Sequence, residues 1–259
     1  MQTVASRDGT EIAFERLGDG PALVLVDGAL CGGGLGPMGP LAEALAPAFA
    51  VHRYDRRGRG ESGDSATYAV AREVEDLAAV IAAAGGSARV CGISSGAVLA
   101  LEAAASNLPI ERLVLYEPPL DVTGGDPEGD AYREQLGRLL AAGRNGDAVD
   151  WFLSNAGVPD EALAAMHAQP DWPQYEALAP TLAYDHAIVG DGAVPRERAA
   201  AITAPTLVAN GERSPDFFRL AAEATAAAIT GAEHRILVGA GWGQYDAATL
   251  APLVAGFLR

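Results

Sequence analysis

One short stretch limits what this chain can fold into more than any other. Arg89-Val90-Cys91-Gly92-Ile93-Ser94-Ser95-Gly96 runs from an apolar segment into an Ala-rich helical one and contains the pattern Gly-x-Ser-x-Gly. Such residues suit a strand that turns sharply into a helix. Gly92 and Gly96 leave room where strand and helix meet, and Ser94 stands at the tip of the turn. A serine hydroxyl is a weak nucleophile until a base takes its proton, so an acid and a histidine are expected further along the chain.

Around this stretch, apolar runs alternate with helical periods, which implies a mostly parallel sheet flanked by helices. Strands are expected at 10–17, 22–26, 51–55, 88–93 and 113–117, with two more at 206–209 and 234–238. Ala22 to Val26 is continuously apolar, as in a strand buried on both faces. Val70, Val74, Leu77 and Ile81 recur at helical spacing, and helices are also expected at 41–48, 97–106 and 250–258. After Pro118-Pro119, which ends a ladder because proline lacks the donor, the alternation stops. Residues 121–202 hold helical segments at 133–142 and 148–155, and the aromatics Trp151, Phe152, Trp172, Tyr175 and Tyr184. They read as a helical cap inserted into an α/β core formed by 1–120 and 203–259.

Composition narrows function by exclusion. The formal net charge is -16 and all 18 basic residues are arginine. A lysine Schiff base and a phosphate-loop lysine are therefore excluded, and no basic patch suits nucleic acid or an anionic membrane. Two cysteines, Cys31 and Cys91, imply neither a disulfide framework nor a zinc pair. No dinucleotide glycine fingerprint occurs in a first strand-helix turn, so no cofactor and no metal are expected. The N-terminus has no signal-peptide core, and no apolar run reaches membrane-spanning length; a cytoplasmic protein acting on a small apolar molecule is the expectation.

The elbow, the strand order and the capped insertion together resemble the α/β-hydrolase superfamily, over essentially the whole chain. Tyr54-Asp55-Arg56-Arg57-Gly58-Arg59-Gly60-Glu61-Ser62 is similar to its Asp-x-Arg-Gly-x-Gly-x-Ser loop. The resemblance implies an α/β-hydrolase fold, with Ser94 at the nucleophile position and the Ser95 N–H as one oxyanion donor. The second donor usually comes from a loop that often begins His-Gly. Here it reads Asp27-Gly28-Ala29-Leu30-Cys31, and the Ala29 N–H is the expected donor. The acid usually follows the penultimate strand, where Ser214 stands instead, with Glu212 and Asp216 displaced from the position. Some members carry the acid after the strand that follows the elbow, and Glu117 fits that alternative.

The largest departure is Trp242, which occupies the usual histidine position. Indole nitrogen only donates and cannot act as a base. Of the four histidines, His52 and His234 lie at strand starts, the wrong end of a parallel sheet for chemistry. His167 reads as surface or packing. His186, in the cap, is the one candidate to reach Ser94. Candidate binding residues are Asp27, Leu30, Cys31, Trp151, Phe152, Trp172, Tyr184 and Ser214. Without a base, the oxyanion donors, the paired Ser94 and Ser95 and an aromatic cap favour cyclisation, isomerisation or elimination, plausible in secondary metabolism, over hydrolysis. Two alternatives stand beside this. One is an esterase with a relocated triad of Ser94, His186 and Glu117 or Asp185. The other is a small-molecule binding protein without catalysis.

Overall fold

The computed structural model describes residues 1–122, 129–241 and 246–259. In chain order its elements are β1 (Gln2–Ala5), β2 (Glu11–Leu17), β3 (Ala22–Val26), α1 (Met38–Leu45), β4 (Ala50–Tyr54), α2 (Val70–Ala83), β5 (Ala88–Ile93), α3 (Ser95–Ala105) and β6 (Ile110–Tyr116). Then come α4 (Gly129–Ala141), α5 (Asn145–Asn155), α6 (Asp160–His167), α7 (Trp172–Leu178), α8 (Leu182–Val189) and α9 (Arg196–Ala200). The chain ends with β7 (Thr206–Gly211), α10 (Asp216–Ala228), β8 (Glu233–Leu237) and α11 (Ala247–Leu258).

Among the described residues, eight strands form one sheet in the order β1-β2-β4-β3-β5-β6-β7-β8. β1 and β2 run antiparallel to their neighbours, and every other pairing is parallel. The apolar runs are continuous because both faces are covered. On β3, Val24 and Val26 face a core built with α2, α3 and α10. Leu23 and Leu25 face the opposite core, built with α1 and α11. Cys91 points into that second core and is a buried free thiol. α3 lies so close to the sheet that apolar residues cover most of its circumference, as the Ala-rich sequence allows.

Several elements differ from expectation, α10 and the short helices α6 to α9 among them, and two of the differences are informative. β1 was not foreseen: it is an edge strand with mostly exposed side chains, so it carries no apolar run. On α2 the buried face includes Glu73 and Asp76 as well as Leu77, Val80 and Ile81. The carboxylates are buried because the arginine loop after β4 folds onto them. Arg57 donates two hydrogen bonds to Asp76 at 2.7 Å, and Arg56 donates two to Glu73 at 2.7 and 2.8 Å. Removing one partner from such a pair strands a buried charge and costs about 3–5 kcal/mol.

Helices α4 to α9 lie between β6 and β7 in the chain. Leu136, Leu139, Ala148, Val149, Leu178 and Leu182 form a third apolar cluster, which Leu30 from the loop after β3 completes. The cap segment therefore packs directly on that loop, at the carboxyl edge of the sheet. No helix among the described residues is long and apolar enough to cross a membrane.

Candidate active site

Sheet register performs the first part of the assembly. Val26 pairs with Gly92, Ile93 with Tyr116, and Tyr116 with Ala209. The carboxyl ends of β3, β5, β6 and β7 are thus level. Asp27, Ser94, Glu117 and the turn at Gly211 stand side by side although far apart in sequence. Open α/β sheets place ligands at this edge. Three of the four non-glycine residues with positive φ among the described residues also lie here, Leu30 at 54°, Ser94 at 54° and Glu117 at 51°. Each such conformation costs about 1–3 kcal/mol and persists only where its surroundings enforce it.

For Ser94 the enforcement is visible. Its φ and ψ are 54° and −129°, and its N–H donates to the Tyr116 carbonyl at 2.9 Å. A Cβ at Gly92 would lie 2.4 Å from the Gly96 carbonyl oxygen. One at Gly96 would lie 2.4 Å from the oxygens of both Val26 and Asp27. The turn can close only with glycine at both places. Gly28 also approaches closely, since a Cβ there would be 3.1 Å from Ser94 Cβ.

Two N–H groups flank the serine. Ser95 opens α3, where N–H groups have no intrahelical acceptor, and Ala29 lies in the strained loop after β3. Among the described residues neither N–H has a hydrogen-bond partner. Asp27 is 5% exposed, and its Oδ1 has no partner among the described residues. Burial pushes its pKa from 3.8 up to about 7, against the weaker pull of Arg59, Arg53 and Arg56. The neighbouring Cys31 thiol donates to the Ala29 carbonyl at 3.3 Å, and burial raises its pKa well above the ordinary thiol value.

Glu117 is fully buried at the end of β6. Its Oε1 accepts the Gly211 N–H at 2.9 Å and a short hydrogen bond from Ser214 Oγ. The strand-end carboxylate and the serine at the usual acid position are therefore in contact. The displaced candidates are elsewhere: Glu212 and Asp216 are both exposed, Glu212 accepting from the Gly239 N–H and Asp216 pairing with Arg219.

The cap residues divide into groups. Trp151 and Phe152 pack on the cluster around Leu30, and Trp151 stacks on Tyr132 at 6.2 Å. Trp172 touches the same cluster but gives a face to the exposed His167, 4.0 Å away. Tyr184 does not join them. It stacks on Tyr68 at 4.0 Å, and its hydroxyl donates to Asp64 at 2.8 Å, so it ties the cap to the loop after β4 instead of lining a pocket. Asp185, offered as an alternative acid, is paired with Arg56 and Arg59, each at 2.7 Å.

None of the histidines is hydrogen-bonded to Ser94, whose Oγ makes no side-chain hydrogen bond among the described residues. His186 lies on α8 with its ring 5.5 Å from that of Tyr132. His52 and His234 bond to the Ala50 carbonyl and to Asn210, and His167 pairs with Asp150 on the surface. Trp242 lies outside the described residues. Among those described, no three His, Cys, Asp or Glu side chains are grouped as a metal site requires.

The residues that sequence reasoning missed are Arg56 and Arg59, both at most 2% exposed beneath the loop after β3. Arginine ordinarily reads as surface. The signal was the placing of acidic Glu73 and Asp76 on the apolar face of α2, which calls for buried cations.

Residues 29–253 match the model of the Alpha/beta hydrolase family. A crystal structure of an alpha/beta hydrolase from Sphaerobacter thermophilus DSM 20745 is 49% identical, covers 100% of both chains and superposes with a TM-score of 0.92. That of a hydrolase from Pseudomonas aeruginosa PA01 is 26% identical, covers 98% of this chain and 95% of that one, and has a TM-score of 0.77. Among curated proteins, the pimeloyl-[acyl-carrier protein] methyl ester esterase of Xanthomonas campestris pv. campestris is 35% identical over 159 residues. The match spans 60% of this chain and 58% of that protein's length.

Proposed function

This chain belongs to the α/β-hydrolase family, and from that premise we propose that it hydrolyses carboxylic esters through Ser94. One observation carries the reading: a serine held at φ 54° beside two unpartnered N–H groups. Backbone strain of this kind gathers at active sites, where the surrounding structure enforces it. Ser94 Oγ adds to the ester carbonyl carbon and the carbonyl electron pair moves onto oxygen, between the N–H groups of Ser95 and Ala29. The alkoxide leaves with the proton that Ser94 gave up, and water then frees the acid. Glu117 is the carboxylate of the site and His186 the candidate base. Hydrogen bonds to a catalytic base often close only in the substrate complex, so a base not bonded to Ser94 in the free protein is compatible with that role. The name of the curated relative describes an ester of an acyl chain.

A second reading rests on Trp242. With indole at the usual histidine position, a site rich in oxyanion donors but poor in base suits cyclisation, isomerisation or elimination of an apolar molecule. Labelling with a fluorophosphonate, alongside turnover of a p-nitrophenyl acyl ester, decides between them. Labelling and turnover lost in Ser94→Ala support hydrolysis, and their loss in His186→Ala identifies the base. A folded protein that neither labels nor turns over the ester would sink the hydrolase reading. It would leave non-hydrolytic chemistry or ligand binding alone.

A further inference from the structure

Asp185 is a buried carboxylate for which ester hydrolysis has no direct use. It is 4% exposed on α8, a cap helix, and yet it reaches the floor of the site. Its Oδ1 accepts from Ser95 Oγ and from Arg56 Nη1, both at 2.7 Å. Its Oδ2 accepts from Arg59 Nη2, also at 2.7 Å. Burial by itself raises its pKa, but Arg59, Arg56 and the Ser95 hydroxyl together hold it below the ordinary carboxylate value, so it is ionised.

The far side of Arg59 makes this arrangement informative. Arg59 Nη1 donates to the Gly28 carbonyl at 2.5 Å and to the Cys31 carbonyl at 3.3 Å. The Gly28 carbonyl and the Ala29 N–H belong to one peptide unit. That unit is planar and trans, so a guanidinium clamped on the oxygen fixes where the N–H points, on the opposite side. A charged donor on the carbonyl also polarises the peptide and strengthens its N–H as a donor. Arg56 Nη1 adds a contact to the Asp27 carbonyl at 3.3 Å, and its own fork is held by Glu73. One carboxylate thus touches the residue that supplies one N–H and holds the arginine that aims the other.

We propose that Asp185 is a positioning residue which, through Ser95 Oγ and through Arg59 on the Gly28 carbonyl, aligns both N–H donors of the oxyanion hole. Because it comes from the cap, the hole is complete only when the cap is seated. This rests on the reading that the Ser95 and Ala29 N–H groups receive the oxyanion. A carboxylate serving only to neutralise two arginines would leave the hole's geometry, and therefore the chemical step, untouched once the protein had folded.

The test uses the full chain, with Asp185→Asn and, as a milder change that leaves both ion pairs in place, Ser95→Ala. The readouts are kcat and KM on a p-nitrophenyl acyl ester, inhibition by a trifluoromethyl ketone, and the orientation of the peptide between Gly28 and Ala29 in crystal structures of the wild type and of Asp185→Asn. Losing an oxyanion donor outright costs about 100- to 1000-fold in kcat. Misaiming should cost Asp185→Asn about 10- to 100-fold, with KM within about twofold and ketone affinity falling in step with kcat. The peptide between Gly28 and Ala29 should turn away from its wild-type orientation in Asp185→Asn. Ser95→Ala should show the same kinetic split at smaller size. Unchanged kcat in a folded variant, or a loss confined to KM, overturns the proposal; so does an unmoved peptide between Gly28 and Ala29. If the wild-type protein shows no esterase activity, the hydrolase reading fails, and the variant's structure still decides whether Asp185 holds the loop.

Discussion

Replacing Asp27 by asparagine removes a charge that this fold carries only at a cost. The side chain sits at the carboxyl end of β3, 5% exposed, with Oδ1 unpartnered among the described residues, and burial moves its pKa from 3.8 to about 7. In the unfolded chain the carboxyl ionises near its ordinary value; in the folded protein it keeps its proton until near neutrality. Between those two values the native state binds the extra proton, so stability falls as pH rises, and it levels off above the folded pKa. At 1.36 kcal/mol per unit, the full penalty is about 4 kcal/mol, of which about 2.5 kcal/mol develops between pH 5 and pH 8. Asparagine has nearly the same shape and no such penalty. Urea unfolding of the wild type and Asp27→Asn at pH 5 and pH 8 isolates the effect, because every other titrating group is common to both. The variant should gain about 2.5 kcal/mol on the wild type over that interval. A difference constant to within about 0.5 kcal/mol would show that Asp27 is solvated or paired in solution, and the reasoning from burial would be wrong.

Further outcomes follow from packing and charge. Gly96→Ala places a methyl group against two carbonyl oxygens at 2.4 Å; it should cost more than about 3 kcal/mol, read as a large fall in Tm or loss of soluble protein. Gly256→Ala, on the exposed side of α11 with nothing near its Cβ, should instead stabilise by about 0.5–1 kcal/mol in the same assay. Arg57→Leu strands Asp76 in the core and should cost about 3–5 kcal/mol by urea unfolding, with much of that recovered when Asp76→Leu is added.

The sheet and its elbow were legible because their causes are local. The strand 88–93 falls where its apolar run placed it, and the helix carrying Val70, Val74, Leu77 and Ile81 follows from its period alone. Gly92 and Gly96 announce a close approach whichever atoms they approach. Glu117 could be picked out as a strand-end carboxylate, because Pro118-Pro119 marks where the strand stops. Its contact with Ser214 could not, since that depends on the register of β6 against β7. Tyr184 shows the opposite failure. An aromatic residue in the cap suggests a pocket wall, but the turn of α8 directs it to Tyr68.

The sequence by itself determined the periods, the turn at Ser94 and the absence of lysine chemistry, because backbone sterics and side-chain type act within a few residues. Tertiary structure alone decided that Arg56 and Arg59 are buried, that Asp185 reaches Ser95 from the cap, and that Asp27 is pressed toward neutrality. Each of these is a balance between the cost of desolvating a charge and the return from a partner distant in the chain. That balance has no value until long-range packing brings the groups together.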